Sequence, residues 1–246
     1  MTGKKNIGII GLGTIATAVA EKLAEDGHRL TVSVRSQANS ERLAARYANV
    51  TVAENQKVAH DCDILFLGTT AHVASKTLKA ISFQEGQQII SLMADLSFEA
   101  TAGLVAPATL SARMIPFPSI GTGGSPILTF GDEDLIQGLF GLTNPVLVLE
   151  NEAELRSYLC AQAVLSPAVN MVREAAQWLR QNGASDSEAA EEFLRSLVGS
   201  SLMASRCEDL LTDLNTQGGY NQRLRQHMQD AGMGKHLREG LDHLLK

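Results

Sequence analysis

An α/β fold, with a mostly parallel sheet in the N-terminal part and an all-helical segment after it, is what this sequence predicts. Three observations predict it. Short β-rich runs alternate with helical stretches over the first 150 residues or so, the pattern of a parallel sheet with crossover helices. Several of those runs are continuously apolar, as strands covered on both faces are. Beyond Glu150 the strand signal stops, and apolar residues recur at helical spacing instead.

The strands are read at Asn6–Ile10, Leu30–Val34, Val50–Val52, Ile64–Leu67, Gln88–Met93 and Arg113–Ile115, with two more β-like runs at Ile127–Phe130 and Val146–Leu149. Helical patterns lie between them, such as Ile15–Glu25, ended by Gly27, and Val73–Ile81. From Glu152 to Gln181 the apolar positions Leu155, Leu159, Val169, Val172, Ala176 and Leu179 describe a long helix that Pro167 should kink or break. It closes at Asn182-Gly183. Ser185 or Asp186 caps the next helix, expected to run to about Asp209, and two more helices follow Gly219 and Gly234. The division into two domains is therefore placed after residue 151.

The chain has 246 residues, 44% hydrophobic content and a net charge of −6. That balance fits a globular protein and argues against nucleic acid as a main partner, because neutralising phosphates needs a basic face. No apolar run approaches the roughly 18 residues of a membrane span. The N-terminus enters an apolar run too short for a signal-peptide core, so a cytoplasmic protein is expected. The three cysteines, Cys62, Cys160 and Cys207, are widely spaced and form no C-x-x-C, which supports neither a disulfide framework nor a zinc ribbon. The helical part, residues 152–246, is too small to bury its own apolar stripes well. A second copy of the chain is the expected cover, giving a homodimer through residues 152–246.

The motif that carries chemistry is Gly11-Leu12-Gly13-Thr14-Ile15-Ala16, directly after the first strand and opening a helix. Gly11 permits the tight turn, Gly13 lets backbone approach a pyrophosphate, and Ala16 keeps helix and strand close. The amides of Thr14 and Ile15 open the helix, and its N-terminus favours phosphate. This is a Rossmann-type fingerprint. After the second strand stand Val34-Arg35-Ser36-Gln37, with no acid before Glu41. An acid there grips the ribose 2′-hydroxyl of NAD, whereas arginine suits the 2′-phosphate of NADP. Arg35 and Ser36 therefore point to NADP. Thr69 and Thr70, past the fourth strand, stand where the sheet presents its carboxyl edge; they would contact the cofactor or simply cap the next helix. Ile115–Ser119 and Gly121–Gly124 form further loops beyond strand ends, for ligand approach or for turning alone.

Taken together, these pieces resemble the pyrroline-5-carboxylate reductase family. The resemblance rests on Gly11, Gly13, Arg35, Ser36, the strand end Ser91-Leu92-Met93-Ala94, the stretch Arg113-Met114-Ile115-Pro116 and the late Gln217-Gly218-Gly219. It implies NADP(H)-dependent hydride transfer to a cyclic imine, a helical dimerisation domain, and Ala94 among the cofactor contacts. The departures fall at the substrate end. Ala163–Ala168 stands where the family has a serine–glycine stretch ending in Pro-Ala, Phe117 replaces an asparagine, and Tyr220 and Asn221 replace two threonines. Tyr220, Asn221, Ser166 and Asn170 are accordingly the candidates for substrate binding and proton donation, with Tyr220 as the phenolic acid. A carbonyl reductase of the 3-hydroxyacid type is the competing enzyme class. It would be expected to carry a lysine on the interdomain helix, and Glu152–Gln181 has none. A binding protein that holds NADP without turnover is the third reading.

Overall fold

The computed structural model describes residues 3–246. The chain divides into two compact units, Met1–Leu155 and Arg156–Lys246.

The first unit runs β1 (Asn6–Ile10), α1 (Thr14–Glu25), β2 (Arg29–Ser33), α2 (Gln37–Arg46), β3 (Val50–Ala53), α3 (Asn55–Asp61), β4 (Ile64–Leu67), α4 (Ala71–Lys79), β5 (Gln88–Ser91), α5 (Phe98–Val105), β6 (Thr109–Ile115), β7 (Ile127–Gly131), α6 (Glu133–Phe140) and β8 (Val146–Val148). It ends within α7 (Glu152–Ala161). The strands form one sheet in the order β3-β2-β1-β4-β5-β6-β7-β8. Every neighbouring pair is parallel except β6 with β7. The expected mostly parallel, Rossmann-type sheet is thus present.

The continuous apolar runs explain themselves by two-sided burial. Along β4, Ile64 and Phe66 join one core cluster with Ile7, Ile9 and the α1 residues Val19 and Leu23. Leu65 and Leu67 join a second cluster with Ile10, Val58, Leu78 and Val105. Successive side chains of a strand point to opposite faces, so a strand with helices on both sides needs apolar residues at every position.

Two strand boundaries differ by two residues or more from those read in the sequence. β5 stops at Ser91 rather than Met93, because the Ser91 hydroxyl accepts the Met93 N–H at 3.2 Å and turns the chain out of the sheet. β6 starts at Thr109, four residues before Arg113. Its first half, Thr109-Leu110-Ser111-Ala112, carries small and polar residues that weaken a strand signal, but pairing with β5 holds it in the sheet.

The second unit is helical throughout its described residues. A 3₁₀ turn at Gln162–Val164 separates α7 from α8 (Leu165–Gln181). Pro167 has no N–H to give the Ala163 carbonyl, and the helix tightens one turn ahead of it, so the expected interruption falls there. α9 (Ser187–Ala204) starts at Asp186, whose carboxylate accepts the Glu188 and Ala189 N–H groups at 3.0 and 3.1 Å. It ends at Ala204 and not near Asp209. Ser205 and Arg206 are extended, and a separate helix α10 (Cys207–Asp213) follows. After α11 (Tyr220–Asp230), the last helix α12 (Met233–Leu245) begins at Gly232, which is left-handed at φ 89°. Gly234, expected to precede that helix, lies inside it; Gly232 takes the turn because it alone of the pair adopts positive φ.

In this unit Ala176 and Ala190 are the buried residues among those described. Large apolar side chains stay exposed on its helices, among them Trp178, Phe193, Leu202 and Leu224. None of the described helices is long and apolar enough to cross a membrane.

Candidate functional site

The strand order reverses between β1 and β4, so the loops at their carboxyl ends part in opposite directions and leave a crevice. Gly11 and Gly68 meet there. Gly11 has φ +91°, and a Cβ on it would lie 2.9 Å from the Gly68 backbone and 3.0 Å from the Thr69 Cγ2. A Cβ on Gly68 would lie 2.5 Å from both the Ala16 Cβ and the Gly11 carbonyl oxygen. Gly11, Ala16 and Gly68 are therefore held small by one another. The turn is also braced from outside: the Gly11 N–H donates to the buried Ser33 hydroxyl at 2.9 Å, and the Asn39 side-chain amide donates to the Leu12 carbonyl at 2.8 Å.

Gly13 is different. Its φ is −71°, an angle open to other residues, and a Cβ there would meet nothing within 4 Å. No packing inside the chain demands a glycine, whereas close approach of a ligand to the backbone does. Gly13 is also the N-cap of α1, and it supplies no side-chain cap. The first turn, Thr14, Ile15 and Ala16, contains no acid. The N–H groups of this first turn thus have no side-chain cap and no acid beside them, which leaves the positive end of the helix available to a pyrophosphate. The residues present fit a dinucleotide.

The turn after β2 carries Arg35, which is exposed, and Ser36, the N-cap of α2, whose hydroxyl makes no capping bond. Arg35 lines a cleft of about 790 Å³ with Glu54, Asn55 and Gln56 after β3, and with His72, Val73 and Lys76 of α4. Cations on α2 and α3 are paired: Arg42 with Glu21, Arg46 with Glu25, and Lys57 with Asp61. Arg35 has no ion-pair partner among the described residues.

Beyond β4, the Thr69 hydroxyl donates to the Met93 thioether at 3.3 Å, tying the β4 loop to the β5 loop. Thr70 is the N-cap of α4 through its backbone, with its carbonyl accepting from Val73 and Ala74, while its hydroxyl makes no capping bond. Ala94 is exposed just past the end of β5. That loop is pinned from behind by Arg113, which is 5% exposed. Its guanidinium donates to the Leu96 carbonyl and sits 2.8 Å from the Glu152 carboxylate. Glu152 in turn accepts the Phe98 N–H at 2.7 Å. Burial pulls the guanidinium below the ordinary arginine range, and Glu152 pulls it back up.

The loop Gly121–Gly124, for which ligand approach and turning alone were both open, is anchored at its C-terminal side while Gly121, Thr122 and Gly124 stay exposed. Asn144, 2% exposed, accepts the Ser125 N–H at 3.2 Å and donates to the Ile120 carbonyl at 3.3 Å, and the Gly124 N–H reaches the Thr143 carbonyl at 2.8 Å. Ahead of it, the 3₁₀ turn Pro118–Thr122 buries Ile120 in the same core cluster as α1 residues.

The cofactor candidates Gly11, Gly13, Arg35, Ser36, Thr69, Thr70 and Ala94 lie on loops at the carboxyl ends of β1, β2, β4 and β5, and Thr14, Ile15 and Ala16 form the first turn of α1 after the β1 loop. The candidates for catalysis all lie in the second unit. Ser166 and Asn170 are one turn apart on α8, and Tyr220 and Asn221 are the first two residues of α11. All four are exposed, Tyr220 to 90%. Ser33, Asn39 and Gly68 escaped the sequence reading. A serine inside an apolar strand, and a glycine directly after one, were the signals available.

A Rossmann-type dinucleotide-binding unit followed by a helical unit is the class this arrangement defines. The family model described as NADP oxidoreductase coenzyme F420-dependent matches residues 6–95. In sequence the chain is similar to pyrroline-5-carboxylate reductase 3 of Bos taurus, 25% identical over 136 residues, which cover 53% of this chain and 44% of that protein. The chain thus matches less than half the length of that relative. In fold it is similar to the 1-pyrroline-5-carboxylate reductase of Streptococcus pyogenes, with a TM-score of 0.83 at 19% identity, covering 98% of this chain and 97% of the other. The pyrroline carboxylate reductase of Plasmodium falciparum, solved with NADP bound, gives a TM-score of 0.84 at 14% identity, covering 99% and 97%. An imine reductase of Aspergillus terreus, in complex with NADPH4 and dibenz[c,e]azepine, gives 0.59 at 22% identity over 89% and 80%. The resemblance to the pyrroline-5-carboxylate reductase family read from the sequence is borne out in both sequence and fold.

Proposed function

We propose that the chain is an NADP(H)-dependent oxidoreductase that reduces the C=N bond of a small substrate. The observation that carries the reading is the pairing of Gly13 with Arg35. The first leaves backbone open at the head of α1 where no packing requires it, and the second offers an unpaired guanidinium at the end of β2. The bound cofactor would supply hydride. The chain's part is to fix the cofactor between the Gly11–Ala16 turn and the Thr69, Thr70 and Ala94 loops, with Arg35 and Ser36 selecting the phosphorylated form. Losing a charge-assisted pair to phosphate costs about 1.5–3 kcal/mol, roughly ten- to a hundredfold in affinity. Titration of NADPH and NADH against the wild type and Arg35→Ala tests this. Arg35→Ala should lose NADPH affinity and leave NADH nearly unchanged, and equal wild-type affinity for both would end the NADP reading.

A reduced imine nitrogen needs a proton. Tyr220, with Asn221 beside it, is our candidate donor, and Ser166 and Asn170 are our candidates for binding substrate. The substrate differs in shape from a proline precursor, because a phenol and an amide stand where the resembling family has threonines. The pyrroline-5-carboxylate reductases of similar fold, at TM-scores of 0.83 and 0.84, support the C=N class. The absence of lysine from Glu152–Gln181 weighs against a carbonyl reductase.

The chain is further proposed to act as a homodimer through its second unit. An apolar groove of about 850 Å³ lies open in that unit between α8 and α12, lined by Pro167, Met171, Met228, Leu237, Leu241 and Leu244, among others. A second copy would cover it.

A further inference from the structure

The cleft beside Arg35 holds more positive charge than the β2 turn supplies. α4 presents His72, Val73, Lys76 and Thr77 to it, followed by the C-cap Ala80. This spacing, with steps of one, three, one and three residues, is one face of a helix. Lys76 therefore lines the same cleft as Arg35, one turn beyond His72. The ionised or ionisable groups there are Arg35, Lys76, His72 and the single carboxylate Glu54. None of them is ion-paired among the described residues, although Arg42, Arg46 and Lys57 on α2 and α3 all are. Nor can α4 supply a partner: residues 71–80 contain no Asp or Glu, so Lys76 lacks the neighbour at i±3 or i±4 that usually takes up a helical lysine.

A phosphate monoester carries close to two negative charges at neutral pH, and a single guanidinium leaves it half compensated. We propose that Lys76 is a second cation for the cofactor's 2′-phosphate and sets NADP selectivity jointly with Arg35. This rests on the NADP reading above. It adds a specificity residue from α4, outside the β2 turn where a sequence fingerprint looks for one. Arg35 supplies the planar fork and Lys76 a mobile point charge, a division of labour suited to one anion held from two sides.

The test uses the adenosine half of the cofactor alone. Adenosine 2′,5′-bisphosphate and AMP are titrated calorimetrically into wild type, Arg35→Gln, Lys76→Gln and Lys76→Arg. Lys76→Gln should weaken the bisphosphate about tenfold and leave AMP unchanged, Lys76→Arg should restore most of the loss, and the salt dependence of bisphosphate binding should be shallower in Lys76→Gln. If Arg35→Gln weakens the bisphosphate while Lys76→Gln matches the wild type, the role of Lys76 is overturned and that of Arg35 stands. If wild type binds both probes equally, the NADP reading falls and takes the proposal with it. A change in melting temperature alone for Lys76→Gln would mark the lysine as serving only the C-terminal end of α4, and also overturns it.

Discussion

The Arg113 guanidinium and the Glu152 carboxylate lie 2.8 Å apart, joining β6 to the first residue of α7. Through the Leu96 carbonyl and the Phe98 N–H, the same two side chains hold the segment between β5 and α5 that carries Ala94. The arginine side chain is 6% exposed and the glutamate 37%. Arg113 thus depends on Glu152 far more than the reverse.

Removing the carboxylate should therefore be costly. Breaking a buried pair leaves an uncompensated charge worth roughly 3–5 kcal/mol, and the exposure of Glu152 brings the expectation for Glu152→Ala down to about 2–3 kcal/mol. Glu152→Gln keeps an acceptor for the Phe98 N–H and should lose less. Urea unfolding of the two variants checks the order; a Glu152→Gln protein as stable as the wild type would show that the charge contributes nothing.

The two glycines of the turn should part company under mutation. Gly11→Ala puts a Cβ at positive φ and 2.9 Å from the Gly68 backbone, so it should cost about 1–2 kcal/mol of strain or more. Gly13→Ala meets nothing in the chain and should leave stability within about 0.5 kcal/mol of the wild type. It should nonetheless weaken the dinucleotide by tenfold or more, if the open backbone is where the pyrophosphate binds as proposed. Thermal melts paired with NADPH titration read both effects. A Gly13→Ala protein that binds normally would remove the pyrophosphate from that place.

Stability should fall in mild acid because of His28. It is 5% exposed and accepts the Lys5 N–H on Nδ1 at 3.2 Å. Burial lowers its pKa from 6.5, partly opposed by Asp26, while Lys5 and Lys22 lower it further. The unfolded chain then binds a proton that the folded chain refuses, so stability is fully present above about pH 6.5 and is lost as pH falls below it. His28→Asn retains an acceptor and carries no titrating group. Denaturation curves between pH 5 and about pH 8 should show a shallower slope in that variant; an unchanged slope would assign the acid sensitivity elsewhere.

In solution the protein should have twice its 26.3 kDa chain mass. Leu244→Glu, in the apolar groove of the second unit, should shift it towards monomer without affecting the first unit. Light scattering at micromolar concentration decides this, and a wild-type monomer would contradict the dimer.

Much of the sheet was legible in the sequence, and for a physical reason. β1 and β4 are buried on both faces, so their apolar runs are unbroken, and their bounds at Asn6–Ile10 and Ile64–Leu67 could be read directly. β6 hid its first half because Thr109 and Ala112 owe their place to pairing with β5 rather than to their own propensity, and Ser111 sits at a shift in that register. The Gly11–Ala16 turn was readable because glycine leaves a distinct local signature. Ser33 and Asn39 were not, since their importance lies in hydrogen bonds across 22 and 27 residues of sequence. In the helical unit, Ser205 and Arg206 break α9 from α10 without glycine or proline, so nothing in the sequence marked the stop.

The central claim, reduction of C=N by NADPH, is tested most directly by following NADPH absorbance with a panel of cyclic imines and, separately, of ketoacids without amine. Imines of a shape other than pyrroline-5-carboxylate should consume NADPH, ketoacids should not, and Tyr220→Phe should slow single turnover by about a hundredfold or more with NADPH affinity intact. Turnover of ketoacids in place of imines, or no consumption with any imine, would contradict it.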